Sequence, residues 1–244
     1  FVVRPFGFDV QVTGNPAAVD HNGLEFTEAG EDFTVTARAV VWNAAGDADN
    51  DGVPDNHADT DPSNNADLSS IVTYPTTPNF GQEGTNEATD EDVDLTALLD
   101  QPGGGIDPGL SGGTSITSIS SGSGNSSTVN YDEVGIIEIT AQVAVDNDYL
   151  GAGAVIGKSG YVGRFVHYVF ETSLNTPEFT PACGTFSYIG QGFTYTGGME
   201  PVISLTARAK GIAPAFGPTT QNYTGLFFKL TDAKLLADGN KTYS

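Results

Sequence analysis

Phe33-Thr-Val-Thr-Ala-Arg-Ala39 is the stretch that decides the fold, because its apolar and polar side chains alternate without a break. Side chains on a β-strand point alternately to its two faces, so this pattern buries one face and leaves the other in water. The alternation recurs in residues 10–13, 134–145 and 202–209, whereas helical periodicity is scarce. Only residues 92–100 could form a short helix, and they could equally form an edge strand. We therefore predict an all-β protein.

Part of this stretch is repeated, since Thr36-Ala-Arg-Ala39 is identical to Thr206-Ala-Arg-Ala209. An internal repeat indicates related structural units. Short strands separated by Gly, Pro, Asn and Asp turns are typical of a sandwich, so we predict two Ig-like antiparallel β-sandwich units. The first spans residues 1–155 and carries acidic-loop and Gly/Ser-rich insertions. The second spans residues 156–244, has fewer strands and could be incomplete. One large sandwich with two similar edges is the alternative.

Three further expectations concern packing. The Gly/Ser-rich residues 103–130 could be a loop, a flexible hairpin or a solvated strand pair. In so acidic a chain, Arg38 and Arg208 should pair with carboxylates or cap carbonyl groups. Trp42 is a candidate for a core plug or a ligand platform. The aromatic residues of the second half are expected to fill its core; they are Tyr188, Phe193, Tyr195, Tyr223, Phe227 and Phe228.

An acidic loop follows the first copy of the repeat. Residues 47–61 read D-A-D-N-D-G-V-P-D-N-H-A-D-T-D, with acids at alternate positions and a glycine at the sixth. This is the spacing of a Ca²⁺ loop, in which alternate side chains turn inward and the glycine permits a sharp turn. Position twelve, usually a bidentate carboxylate, is Ala58, so Asp59 or Asp61 would close the loop. The predicted ligands are Asp47, Asp49, Asp51, the Val53 carbonyl, Asp55, Asp59 and Asp61.

The alternative for this loop is a hydrated turn without an ion. Mg²⁺ fits less well than Ca²⁺, because it keeps several of its waters and seldom uses an all-protein cage. The D-x-D-x-D-G-V-P-D core resembles the calcium-binding acidic repeats of thrombospondin-type and bacterial surface proteins. We therefore predict Ca²⁺ as the cofactor, in a structural role.

Charge and composition exclude several kinds of partner. The chain has 31 Asp and Glu against 9 Lys and Arg, a formal net charge of -22. Nucleic acids and anionic membranes require a basic face, so neither is expected as a partner. No apolar run reaches the length of a membrane-spanning helix, which predicts no membrane insertion. The chain lacks an initiator methionine and opens on a strand-like run, which indicates a piece of a longer polypeptide.

Signals for catalysis are weak. Histidines 21, 57 and 167 are too scattered to predict a zinc site, and no nucleophile elbow, phosphate loop or dinucleotide motif is present. We therefore predict that the protein is not an enzyme. Cys183 is the only cysteine, so the chain has no internal disulfide, and this thiol is either buried or paired outside the chain.

Several phrases, in order along most of the chain, resemble the C-terminal region of MshQ-like proteins. They are Val3-Arg-Pro-Phe-Gly-Phe8, Tyr131-Asp-Glu-Val-Gly-Ile136, Asp148-Tyr-Leu-Gly151, Val162-Gly-Arg-Phe165, Cys183-Gly-Thr-Phe-Ser-Tyr-Ile-Gly-Gln191, Leu205-Thr-Ala-Arg-Ala209 and Asn222-Tyr-Thr-Gly225. The chain departs from the family pattern at His167, where a proline is frequent. The resemblance implies a large exported bacterial protein associated with the mannose-sensitive haemagglutinin pilus. It implies no catalytic residues.

These observations favour a calcium-stabilised structural or adhesive module of a bacterial cell-surface or pilus-associated protein, located outside the cell. Its expected partners are other domains of the parent protein or pilus components, with a glycan or surface receptor also open. Two alternatives remain, a carbohydrate-binding module of a secreted protein and a self-assembling filament subunit.

Overall fold

The protein is all-β, as predicted. A computed structural model describes residues 3–47, 50, 52, 54, 68–81, 92–143, 149, 151–153 and 155–231. Its strands are β1 Gly7–Val12, β2 Thr27–Glu28, β3 Phe33–Val40, β4 Val93–Gln101, β5 Leu110–Gly112, β6 Ser115–Ile116, β7 Ile119–Ser120, β8 Ser123–Tyr131, β9 Gly135–Val143, β10 Ile156–Val166, β11 Val169–Leu174, β12 Phe179–Thr180, β13 Thr194–Tyr195 and β14 Ile203–Arg208. Single turns of 3-10 helix lie at Ala44–Gly46 and Gly225–Phe227, and a longer one at Leu68–Thr73. Within these ranges no helix is long and apolar enough to cross a bilayer.

Two five-stranded sheets form the main body. Sheet A has the strand order β1-β3-β8-β5, with β7 also paired to β8. Sheet B has the order β2-β10-β9-β4-β6. The pairing of β2 with β10 is parallel, and the other pairings between described strands are antiparallel.

One apolar core joins the two sheets. In β3 the alternation predicted from the sequence is realised, because Phe33, Val35, Ala37 and Ala39 are buried while the residues between them are partly exposed. The same alternation holds across residues 137–143 of β9. These inward side chains of sheet A and sheet B belong to a single buried cluster, so the sheets pack face to face.

Aromatic rings fill one end of this core. Phe165 of β10 lies at its centre, with ring centroids 5.5 Å from Phe26, 5.6 Å from Phe33 and 5.2 Å from Tyr131. Tilted and edge-to-face geometries at such distances add to the free energy gained by burial alone. The cluster therefore joins β3, β8 and β10 at one end of the body.

Tertiary pairing settles two regions that the sequence left open. Residues 93–101 form a strand, because β4 pairs along its length with β9 and its first residues also pair with β6. The Gly/Ser-rich residues 103–130 contain β5, β6, β7 and most of β8. The region is therefore made of paired strands, which lie in both sheets and are only partly solvated, since residues of β8 alternate between exposed and buried positions.

Strands from both sides of residue 155 share sheet B. β10, residues 156–166, pairs with β9 on one side and with β2 on the other. The division of the chain into units 1–155 and 156–244 stays a prediction, and β10 belongs structurally with the strands that precede it.

Residues 169–208 form a separate antiparallel ribbon, which we call the arm. β11 pairs with β14 near the body, and β12 pairs with β13 further out. Backbone hydrogen bonds from Asn175 to Val202 (3.2 Å) and from Glu178 to Met199 (3.2 Å) connect the two pairs. No residue from 172 to 205 is buried.

The expectation that the second-half aromatics form a core is largely wrong. Tyr188 is 65% exposed, Phe193 58% and Phe228 51%. Only Phe227 is buried, where it packs with Val134 and Ile136 of the body. The reason is that no second layer covers the arm among the described residues, so rings that would fill a closed sandwich remain at the surface.

Candidate metal site and its surroundings

Asp47 opens the acidic loop and its carboxylate is turned inward. The chain leaves β3 and makes a 3-10 turn at Ala44–Gly46, which is capped because the Asn43 side chain accepts a hydrogen bond from Ala45 N (2.9 Å). Asp47 then lies 5% exposed. Its Oδ2 accepts from Trp42 Nε1 (2.6 Å), so the indole holds the carboxylate from one side.

The other oxygen of the same carboxylate accepts a hydrogen bond from the backbone. Gly52 N donates to Asp47 Oδ1 (3.2 Å), and Gly52 has a φ of 82°. A left-handed φ of this size favours glycine, since a Cβ would be strained there. Arg4 donates to the Gly52 carbonyl (2.8 Å) and ties Gly52 to the start of the chain. A glycine in this backbone conformation is compatible with position six of a Ca²⁺ loop.

The remaining predicted ligands lie outside the described residues: Asp49, Asp51, Val53, Asp55, Asp59 and Asp61. Within the described ranges, no group of three or more His, Cys, Asp or Glu side chains is placed to hold a metal. Asp47 itself fits a hard cation, because it offers carboxylate oxygens held in one orientation by Trp42 and Gly52. Trp42 is 53% exposed, so it supports Asp47 from the surface and is no core plug.

Arg38 fixes the segment that returns from the acidic loop. Its guanidinium donates to Asp9 Oδ2 from Nε (3.2 Å) and from one terminal nitrogen (2.8 Å). It also donates to the carbonyls of Tyr74 (2.6 Å), Ile71 (3.2 Å) and Val72 (3.0 Å). The planar guanidinium of Arg38, with its several N–H donors, thus joins β1, β3 and the 3-10 helix Leu68–Thr73.

The repeated Arg208 makes the same kinds of contact in the arm. It pairs with Glu171 of β11 and donates to Thr219 Oγ1 (2.7 Å), as Arg38 pairs with Asp9 of β1 and donates to Thr76 Oγ1 (3.1 Å). The expectation that both arginines serve carboxylates is therefore confirmed. The two Thr-Ala-Arg-Ala strands thus place their arginines in similar surroundings, each against a carboxylate and a threonine hydroxyl.

Two shallow grooves flank β1, each about 350 Å³ in volume. Both are bordered by Asp9, Gln11 and Val72. One extends toward Tyr161 of β10, and the other toward Arg38 of β3. The sequence analysis did not predict these grooves. The polar positions of the alternating strands nevertheless indicated that this face is exposed to solvent.

Glu133 connects the residues after the arm to the body. It is 3% exposed, and its carboxylate accepts backbone hydrogen bonds from Val134 (2.8 Å), Gln221 (2.6 Å) and Asn222 (3.0 Å). Asn222 in turn bonds both the N–H and the carbonyl of Ile106 at 2.8 Å. Burial raises the pKa of Glu133 above its ordinary value, although the three N–H donors act in the opposite direction.

This raised pKa predicts a pH dependence. A carboxyl group with a raised pKa in the folded state stabilises the fold fully below its unfolded pKa, and that contribution is lost as pH rises through the folded value. Glu133→Gln cannot ionise and leaves one N–H unmatched, which costs about 1–3 kcal/mol. We expect the wild type to exceed the variant in stability most near pH 4.5, with the difference shrinking toward pH 8.

Urea unfolding of both proteins across this pH range measures the difference. The neighbouring Asp132 also has a raised pKa through burial, but it is present in both proteins, so to first order its contribution cancels. A difference in unfolding free energy that stays constant with pH would contradict the prediction.

Comparison with known proteins identifies a family. The model of the second domain of DUF6701 matches residues 4–130, and that of the third domain matches residues 133–243. The matches meet at the end of β8, next to Glu133. No curated protein and no solved structure matches the chain. Because these two matches account for nearly all of its length, the chain belongs to the DUF6701 family, of which it carries the second and third domains.

Proposed function

We propose that this chain is a calcium-stabilised structural or adhesive module of a bacterial cell-surface or pilus-associated protein, built on Ig-like β-sandwich units. The observation that carries the proposal is the inward, doubly held carboxylate of Asp47 at the head of the acidic loop. A buried carboxylate costs free energy unless it is well solvated by donors or a cation. The two neutral N–H donors compensate part of this cost, and a bound cation would compensate more of it.

The loop sequence supports a divalent ion. Six acids fall between residues 47 and 61, and like charges at such density repel one another. A bound Ca²⁺ would supply positive charge that removes this repulsion. The chain's own residues would then transmit the effect, because Asp47 is held by Trp42 and Arg38 anchors the return segment to sheet A. The proposed role is mechanical, since an ordered loop stiffens one end of the body.

Location outside the cell is supported by the acidic composition and by the resemblance to MshQ-like proteins. The net charge of -22 suits a surface exposed to salt and calcium. The absence of catalysis, the carbohydrate-binding alternative and the filament alternative stay predictions.

Thermal unfolding with and without calcium tests the proposal. Extracellular calcium modules have dissociation constants of about 10⁻⁴–10⁻³ M, so about 10 mM Ca²⁺ stabilises the folded state by roughly 1.4–2.7 kcal/mol. For a chain of this length that is a rise in Tm of roughly 3–10 °C over the value in EDTA. Mg²⁺ at the same concentration should give a smaller rise.

Matched variants separate loop binding from general charge screening. Asp49→Ala with Asp51→Ala should abolish the calcium-dependent rise in Tm, because it removes two predicted ligands, whereas asparagine would keep an oxygen ligand at each position. Glu178→Ala with Glu200→Ala, in the exposed arm, removes two acids elsewhere and should leave the rise intact. A wild-type Tm that is the same in Ca²⁺ and EDTA would sink the proposal.

A further inference from the structure

The β11–β14 ribbon of the arm has one polar and one apolar face. The register pairs Leu174 with Ile203, Thr172 with Leu205, and Phe170 with Ala207. Residues paired in this way point to the same side of the ribbon, so this face is apolar apart from Thr172. The other face carries Ser173, Ser204, Thr206 and the Arg208–Glu171 ion pair, together with Val169.

Among the residues that the structure describes, coverage of the apolar face is limited to its inner end. Phe170 packs against His167 and Tyr223, with ring centroids 4.2 Å and 5.6 Å away. At the outer end, Leu174 is 72% exposed and Ile203 65%. An amphipathic ribbon follows the pattern of a sheet packed against another layer, and the described residues supply no such layer beyond Tyr223.

Further out along the arm lies a second exposed apolar group. Phe179 packs edge-to-face against Phe193 and at a tilt against Tyr195, each with a ring centroid 4.9 Å away, and these rings are between 38% and 58% exposed. Since an aromatic side chain carries about 150–250 Å² of surface, the arm exposes apolar area on the order of several hundred Å². Patches of this size mark interaction sites more often than inert surface.

The arm differs from the rest of the chain in its charge. Residues 169–231 contain three acids (Glu171, Glu178, Glu200) and three bases (Arg208, Lys210, Lys229), whereas residues 1–168 contain 26 acids and four bases. Two copies of the chain repel each other through the acidic part. They can approach through the arm with far less repulsion, because the arm, residues 169–208, has three acids against one base, a net charge of only -2.

We propose that the arm is a self-association surface, in which the apolar face of β11–β14 packs against the same face of a second copy of this chain. A two-fold axis makes such a contact isologous, so Leu174, Ile203 and Leu205 of one copy cover those of the other. Facing sheets pack about 10 Å apart, so the ribbon of the second copy would supply the second layer that this ribbon lacks. The product is a closed dimer, distinct from an open filament.

Sedimentation equilibrium of the 244-residue chain tests the dimer. Small interfaces give weak complexes, so the range from about 5 to 200 µM should be covered. We expect the mass to rise from 25.3 kDa toward twice that value, in EDTA as well as in Ca²⁺, so that the result is independent of the metal loop. If the wild-type chain stays monomeric over this range, the apolar face does not mediate self-association, and the proposal is overturned.

Adjacent substitutions on β14 give a matched pair. Ile203→Asp places a charge on the apolar face and should raise the dissociation constant at least tenfold. Ser204→Asp places the same charge on the polar face and should leave it unchanged. Both positions are exposed, so far-UV circular dichroism should show folded protein in each case. Equal effects of the two variants would overturn the assignment of the face.

Crosslinking gives an independent readout. In a Cys183→Ser background, Leu205→Cys lies on the proposed contact face and Thr206→Cys on the opposite one. A bis-maleimide with a span of about 10 Å, the spacing of packed sheets, should join two copies through position 205. Preferential crosslinking through position 206 would contradict the proposal.

Discussion

Replacing Arg38 with Met should lower the free energy of unfolding by about 3–5 kcal/mol, because it leaves a buried carboxylate without its partner. The Asp9 side chain is only 8% exposed and pairs with Arg38 at 2.8 Å. The substitution also removes the donor to three carbonyls of the segment 71–74. Urea unfolding followed by circular dichroism measures the loss.

The internal repeat supplies the control for this prediction. Arg208→Met removes the equivalent arginine of the arm, but the Arg208–Glu171 pair has side chains 28% and 40% exposed. Exposed pairs contribute about 0–1 kcal/mol, so this variant should be nearly as stable as the wild type. Asp9→Asn added to Arg38→Met should recover part of the loss, since it removes the unpaired charge. Equal losses from the two arginine variants would contradict the proposed role of burial.

Phe165→Ala should lower the free energy of unfolding by about 3–5 kcal/mol, which for a chain of this length is a fall in Tm of roughly 6–20 °C. The ring is fully buried and lies against Phe26, Phe33 and Tyr131. Removing it leaves a cavity between the two sheets that surrounding side chains fill only in part. Thermal unfolding at fixed pH and calcium concentration measures the effect.

Phe179→Ala is the matched control, because it makes the same chemical change at a ring that is 49% exposed in the arm. Substitutions at such sites stay within about 0.5 kcal/mol of the wild type. A loss at Phe179 as large as that at Phe165 would show that the arm has a core of its own, contrary to the exposure of its rings.

Local periodicity was sufficient to predict β3, β9 and part of β1 in the body. In β3 and in residues 137–143 of β9, alternation fixes which side chains face inward, whatever the rest of the chain does. Residues 92–100 were undecided, since short apolar runs suit a helix or a strand. Their hydrogen bonds to β9, about 40 residues away in the sequence, decide the outcome.

The candidate site was only partly predictable. The spacing of acids predicts Asp47 as a ligand, which stays a prediction, and the structure places its carboxylate against Trp42 Nε1 and Gly52 N. The partners of Arg38 and Glu133 could not be read from local pattern, because they lie 29 and 88 residues away. The aromatic residues of the arm were assigned wrongly, since alternation shows that a face is apolar but does not show what covers it.

Residue types and their spacing by themselves determined an all-β chain, a repeated Thr-Ala-Arg-Ala strand and a strongly acidic loop, because strand alternation and charge density are local properties. Only the tertiary structure decided that Asp9 pairs with Arg38 in the body and that the Glu133 carboxylate binds the backbone of the residues after the arm. It also decided that the apolar face of the arm is exposed to solvent. These depend on contacts between distant segments, whose pairing is set by the packing of the whole molecule.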